Sequence, residues 1–368
     1  MICELLKDMG VMSAWPDPAV PWEKRREELK KLIVDVEYGA PERREDRVSF
    51  ETVREYPGYA AGKARSVQAR IHNVFGDQEF VFTAEAFVPV GRGRVPFFVL
   101  IGGAAHPDCS VPVEEMIDRG FGLVSFNYQD VCIDYDMQKH MKTDATLGVY
   151  PYLFPSWKEG EPTYCHIAVW AWAASRVLDF AMTLPELDPE EAAVVGHSRL
   201  GKTALFAGVM DDRFRTVIAN DSGCGGAGLY RYDAENEKKE RWQDVAKNFP
   251  YWMSANYQKY VGKLSEVPLD QHFLVAACAP RRVYVDGADA DIWADADAMY
   301  LTLAAASEVY ERLGLPGFIA PDRLPVTGDV FREGRIGWHL RKGPHYMGRE
   351  DWNRFMDFIR PEALPAEA

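Results

Sequence analysis

From Pro96 onward the chain alternates short apolar runs with amphipathic or wholly apolar helical stretches. The runs are FFVLI at 97–101, GLVSF at 122–126, AAVVG at 192–196, TVIAN at 216–220, RVYVD at 282–286 and IGWHL at 336–340. A long helix is expected at about 166–183, between the second and third runs. Strands separated by helices cannot pair as hairpins. They must form a mostly parallel sheet with helices on both faces, the α/β class. Before Pro96 the pattern differs: residues 23–36 have helical periodicity, and 66–73 and 78–88 alternate as half-buried antiparallel strands do. One α/β-hydrolase domain over 1–368 is expected, with an N-terminal helix and antiparallel strands in 1–95 and a core of 96–228 and 276–368. Residues 229–275, charged and then aromatic, read as an inserted helical cap beside the sheet edge, and the Pro/Gly-rich 314–334 as a surface excursion.

Composition narrows the function. A chain of 368 residues with 47% hydrophobic side chains can bury a large core. Its net charge of −14 repels nucleic acid and anionic membranes, and no basic run offers an exception. No stretch of about 18 apolar residues suggests a membrane span. Six scattered cysteines show neither zinc spacing nor a disulfide framework. No metal or organic cofactor is called for. The N-terminus has no secretory pattern, so a cytoplasmic location is expected, or a secreted or periplasmic one if a leader was removed.

The chemistry concentrates in AVVGHSRLGKTALFAG at 193–208. An apolar strand runs into Gly196-His197-Ser198-Arg199, and a helical pattern follows at once. A serine on such a turn stands exposed above the sheet, and the helix N-terminus offers N–H groups to a developing oxyanion. The motif is GxSxxG rather than GxSxG: Leu200 takes the second glycine's place and Gly201 follows. Arg199 and Lys202 lie in the first helical turn, where the dipole disfavours cations by about 0.3–1 kcal/mol each. Their placement points to an anionic or hydroxyl-rich ligand, or else to pairing with acids such as Asp211 or Asp212.

A base belongs in the loop after the last strand, and His345 lies there, where it could take the Ser198 proton. His339 sits inside the strand and should point into a packed face. His197 adjoins the serine but should turn away. For the acid, Asp221 follows TVIAN directly, while Asp289, Asp291 and Asp295 follow RVYVD. Either strand end could orient His345.

Several segments together resemble carbohydrate esterase family 15, the glucuronoyl esterases. They are GHSRLGKTA (196–204), NDSGCGGAG (220–228), FPYWMSANY (249–257), LDQHFLVAACAPRRVYV (269–285) and DIWAD (291–295). The resemblance spans roughly 95–360. It implies Ser198 as nucleophile, His345 as base, and acids at Asp221, where many members carry Glu, and at Asp291. It further implies that Arg199 helps form the oxyanion site and that Lys202, Glu240 and Trp293 contact a uronate sugar. The expected activity is hydrolysis of a glucuronoyl ester, such as one of 4-O-methyl-glucuronate, on a small carbohydrate or oligosaccharide partner. The alternatives are an acetyl xylan esterase of the same fold and a non-catalytic carbohydrate-binding protein on a hydrolase scaffold.

Overall fold

The computed structural model describes residues 1–141 and 145–360. Its strands are β1 Arg47–Gly58, β2 Ala64–Phe75, β3 Gln78–Pro89, β4 Val95–Gly102, β5 Gly122–Asn127, β6 Leu187–His197, β7 Thr216–Asn220, β8 Arg282–Ala288, β9 Val330–Phe331 and β10 Ile336–Arg341. They form one sheet in the order β1-β2-β3-β5-β4-β6-β7-β8-β10-β9. The six strands from β5 to β10 in that order pair in parallel, and β1, β2, β3 and β9 are antiparallel additions at the two ends.

The apolar runs are continuous because both faces of the sheet are covered. Phe97, Val99 and Ile101 of β4 and Ala192 and Val194 of β6 face one core cluster. Their neighbours Phe98, Leu100, Ala193 and Val195 face the other. The principal helices are α1 Trp22–Ile33, α2 Val113–Asp118, α3 His166–Ala181, α4 Arg199–Met210, α5 Ala296–Arg312 and α6 Arg349–Ile359. Helices α1, α3, α4 and α5 cover the first face, and α2 and α6 the second. No helix among the described residues is long and apolar enough to cross a membrane.

Three features differ from the sequence reading. β1 was not foreseen: it is an edge strand exposed along most of its length, so no buried face imprints a pattern on it. The helix expected at 23–36 ends at Ile33 and continues as a wide turn over Val34–Tyr38. The insertion leaves from β7, an interior strand, and not from a sheet edge. It is buried in part, and Ser254 N–H donates to the Glu37 carbonyl at 2.7 Å. The excursion over 314–334 is exposed or half-buried along nearly all its length and carries the short edge strand β9. The cysteines are free thiols, four buried, with Cys3 and Cys109 exposed.

Strand order reverses between β4 and β6: β5 lies on one side of β4 and β6 on the other. In open α/β sheets this reversal opens a crevice beyond the carboxyl ends of the strands. Ser198 lies at the carboxyl end of β6.

Candidate active site

Ser198 joins β6 to α4 with φ +59° and ψ −125°, a backbone conformation that L-residues rarely adopt. The turn closes tightly behind it. A Cβ on Gly196 would lie 2.2 Å from the Leu200 carbonyl oxygen. One on Gly201 would lie 3.0 Å from both the Asn220 carbonyl oxygen and the Ser222 Cβ. The spacing GxSxxG therefore has a physical reason. The helix meets the end of β7 at Gly201, and Leu200 instead turns into the core. Ser198 N–H donates to the Asn220 carbonyl at 2.8 Å, which ties the turn to the neighbouring strand. The serine is half-buried, and the N–H of Arg199 begins a helix, where no acceptor precedes it within the helix.

His345 lies in the loop between β10 and α6, as expected. Its Nδ1 is 2.5 Å from Asp291 Oδ2. Its ring packs on that of His197, the residue before Ser198, with centroids 4.4 Å apart. His345 thus stands beside the Ser198 turn. His197 Nδ1 is engaged by Asn220 Oδ1 at 2.5 Å. Burial, followed by the neighbouring His345, pulls the His197 pKa down to about 4, so it remains neutral near pH 7.

The two acids have different fates. Asp291 is buried, which works to raise its pKa, but the hydrogen bond and charge of His345 and the Ala294 N–H outweigh burial and lower it. Asp221 is also close: one oxygen of each aspartate and an imidazole nitrogen lie within 4.8 Å of one another. Yet Asp221 Oδ1 accepts from Ala288 N–H at 3.0 Å and Oδ2 from Arg341 Nη2 at 3.2 Å. Burial, followed by the charge of Asp291, raises its pKa to about 7. Asp289 braces the loop by accepting from Gly343 N–H and the Thr327 hydroxyl. Asp295 caps α5 and pairs with Lys239. His339 is packed in the sheet against Asp351 and Tyr284, as expected.

The two cations beside Ser198 are compensated, but not by Asp211 or Asp212, which pair with Arg213 and Arg26. Arg199 Nη1 donates to Asp134 at 2.8 Å and to Asp136 at 3.4 Å, and its guanidinium lies 4.9 Å from the Trp252 ring centre. Its Nε and Nη2 make no hydrogen bond among the described residues. Lys202 is buried, and its ammonium donates to the carbonyls of Ser222 and Cys224 and to Glu240 Oε2 at 2.7, 2.6 and 2.8 Å. All three of its protons are thereby used inside the protein. Glu240 N–H donates to the Trp293 carbonyl at 2.9 Å, and the Trp293 side chain is 43% exposed. Lys202, Glu240 and Trp293 thus form one connected wall, in which the tryptophan ring faces solvent.

Several residues of this constellation escaped the sequence reading. Asp134 is buried and accepts from the hydroxyls of Tyr251 and Tyr128 as well as from Arg199. Arg341 and Asp351 underlie the His345 loop. Asn220 and Asp286 are hydrogen-bonded to each other at the ends of β7 and β8. A polar residue closing an apolar run, as in TVIAN and RVYVD, was the available signal. Asp221, Asp291 and His345 have a composition that could ligate a metal, as do Asp286, His339 and Asp351. In both clusters a carboxylate already engages an imidazole nitrogen, which fixes the orientation of the ring.

The family described as "Glucuronyl esterase, fungi" matches residues 71–314. Carbohydrate esterase MZ0003, from an unknown prokaryotic organism, is 34% identical over 252 residues, which cover 67% of this chain and 54% of that protein. The chain thus spans about half the length of that curated relative. The 4-O-methyl-glucuronoyl methylesterase of Schizophyllum commune is 27% identical over 83% of this chain and 75% of its own length. Among solved structures, a glucuronoyl esterase from Solibacter usitatus superposes with a TM-score of 0.78 at 27% identity, covering 92% of both chains. A strained serine turn, a histidine–carboxylate pair beside it and these relatives all point the same way, and the chain belongs to the glucuronoyl esterase family, carbohydrate esterase family 15.

Proposed function

We propose that the protein hydrolyses glucuronoyl esters, with 4-O-methyl-glucuronate as the acyl part. The supporting observation is the 2.5 Å contact of His345 Nδ1 with Asp291, made while the imidazole packs beside the Ser198 turn. A carboxylate on Nδ1 fixes the tautomer that leaves the Nε2 lone pair free to act as base. Ser198 Oγ attacks the ester carbonyl as His345 Nε2 takes its proton. The Arg199 N–H and guanidinium meet the oxyanion, and Asp291 stabilises the imidazolium. Collapse of the tetrahedral intermediate breaks the ester C–O bond, His345 returns the proton to the leaving alcohol, and glucuronoyl-Ser198 remains. Water activated by His345 then releases the uronic acid. Glu240 and Trp293 form the wall that receives the sugar, with Lys202 holding Glu240 in place from behind.

The test is release of glucuronate from benzyl glucuronate by wild type and by Ser198→Ala, with p-nitrophenyl acetate in parallel. Turnover of the uronate ester by wild type alone is the expected result. Folded wild type that leaves benzyl glucuronate intact would reject this substrate class, and a strong preference for the acetyl ester would favour an acetyl esterase.

A further inference from the structure

His345 stands close to two carboxylates and bonds to one. Beneath them lies a buried arginine that makes no hydrogen bond to the imidazole or the serine among the described residues. Arg341, the last residue of β10, has a side chain that is 1% exposed. Its Nε donates to Asp351 Oδ1 at 2.9 Å, and Asp351 in turn accepts from Gly348 N–H at the start of α6 at 2.7 Å. Its Nη2 reaches in two directions, to Asp221 Oδ2 at 3.2 Å and to the main-chain carbonyl of Tyr346, the neighbour of His345. The Tyr346 ring lies against the guanidinium at 4.5 Å. One planar cation therefore joins β10, the His345 loop, the start of α6 and the carboxylate that follows β7.

We propose that Arg341 is a positioning residue for the His345–Asp291 pair. It anchors the Tyr346 carbonyl and holds Asp221 away, so that His345 takes Asp291 as its carboxylate partner. Arginine suits this task because its fork of five N–H donors keeps a fixed geometry, so it can serve three acceptors in three directions. Lysine offers a point charge and cannot hold the same three together. Without the cation, Asp221 loses its ion pair inside the protein. The Ala288 N–H still holds Oδ1, but Oδ2 can then turn toward the imidazole and compete with Asp291, while the loop loses the bond that sets its height.

This inference rests on the serine-esterase reading, so the experiment uses two readouts. A fluorophosphonate probe reports reactivity of Ser198 without any sugar, and benzyl glucuronate reports the full reaction. Both are measured for wild type, Arg341→Met, Arg341→Lys, Asp221→Asn, Asp291→Asn and the double variant Asp221→Asn/Arg341→Met. Arg341→Met should lose about 10–100-fold in labelling rate and kcat with little change in KM, as expected when a general base is misplaced. Arg341→Lys should fall between it and wild type. The double variant should recover part of the loss, because no freed carboxylate then competes for His345. Asp291→Asn should cost at least tenfold more than Asp221→Asn.

Circular dichroism establishes that each variant is folded. If Arg341→Met is not, Arg341→Lys carries the test, and wild-type kcat in that variant would overturn the proposal. Unchanged labelling in folded Arg341→Met would overturn it too, as would a loss in Asp221→Asn equal to that in Asp291→Asn. If the labelling pattern holds while benzyl glucuronate is untouched, the substrate reading fails and the role of Arg341 stands. If wild type is not labelled at all, both fall.

Discussion

The nucleophile turn and the base–acid side of the site are built by different physics. The first is contiguous: β6, Ser198 and α4 follow one another, and steric fit defines the turn, with Gly196 and Gly201 marking its two close approaches. The second is gathered from three distant segments: Asp221 after β7, Asp291 after β8 and His345 after β10. Charge and hydrogen bonds hold it, with Arg341 and Asp351 beneath. A sterically built element tolerates little change of shape but is indifferent to pH. A charge-built element tolerates small changes of shape but depends on which groups carry protons.

The largest effect that sharpens this contrast is at Ser198 itself. Ser198→Gly should abolish turnover, by about 10⁶-fold. The same change relieves an L-residue held at φ +59°, a strain of about 1–3 kcal/mol, so the thermal midpoint should rise. A fall in stability together with activity would show that the serine is not strained and that the turn is not sterically defined. His345→Ala should cost nearly as much activity, since it acts as a unit with the serine, without the gain in stability, because His345 itself is not held at positive φ.

Next come the two glycines. Gly196→Ala places a methyl group 2.2 Å from a carbonyl oxygen that is main chain and cannot step aside. It should cost about 3 kcal/mol or more. Gly201→Ala meets its neighbours at 3.0 Å and should cost about 1–2 kcal/mol. Urea unfolding of both variants measures the ranking, and equal losses would mean that the turn relaxes as one body.

The same division explains what could be read in the sequence. The parallel core strands, the Ser198 turn, and His345 in the loop after the last core strand were legible, because each is encoded within a few neighbouring residues. The choice between Asp221 and Asp291 was not. It depends on Arg341, more than a hundred residues from Asp221, and on which oxygen the Ala288 N–H takes. The partners of Arg199 and Lys202 were hidden for the same reason. Asp134 and Glu240 come from the segments after β5 and β7, and nearer acids such as Asp211 and Asp212 serve other arginines. β1 left no strong pattern because its edge position buries little of it.

A smaller effect tests whether charge also steadies the nucleophile side. Asp134→Asn keeps the shape and removes the nearer of the two negative charges beside Arg199, leaving that of Asp136. The guanidinium should drift from its place over Trp252, lowering kcat by about 10–100-fold while Ser198 remains reactive. If kcat stays at the wild-type level, the Arg199 guanidinium takes no part in meeting the oxyanion, and the nucleophile side is purely steric.

The smallest effect lies where the insertion meets the N-terminal segment, and it separates folding from catalysis. Glu37 is fully buried, accepts from Gln271 at 3.1 Å and from the Tyr230 hydroxyl, and its second oxygen has no hydrogen-bond partner among the described residues. Burial, opposed by the hydrogen bonds of Tyr230 and Gln271, raises its pKa from 4.5 to about 8. The folded protein therefore keeps a proton that the unfolded chain releases above about pH 4.5. The stability this proton confers is fully present below pH 4.5 and is lost as pH rises toward 8, by about 1.4 kcal/mol per unit in the middle of that window. His166 and His197, both pulled down to about 4 chiefly by burial, act in the opposite sense, destabilising the fold as pH falls below about 6.5. Between pH 6.5 and 8 their influence has faded, while that of Glu37 remains, together with the upper part of the Asp221 titration near 7, which a change at position 37 leaves in place. Glu37→Gln should therefore flatten the loss of stability over that interval by about 1–2 kcal/mol. Its activity profile should stay that of wild type, since Glu37 touches neither Ser198 nor His345. Thermal melts at pH 6.5 and pH 8 decide it, and an undiminished slope in the variant would show that Glu37 is ionised in the folded protein.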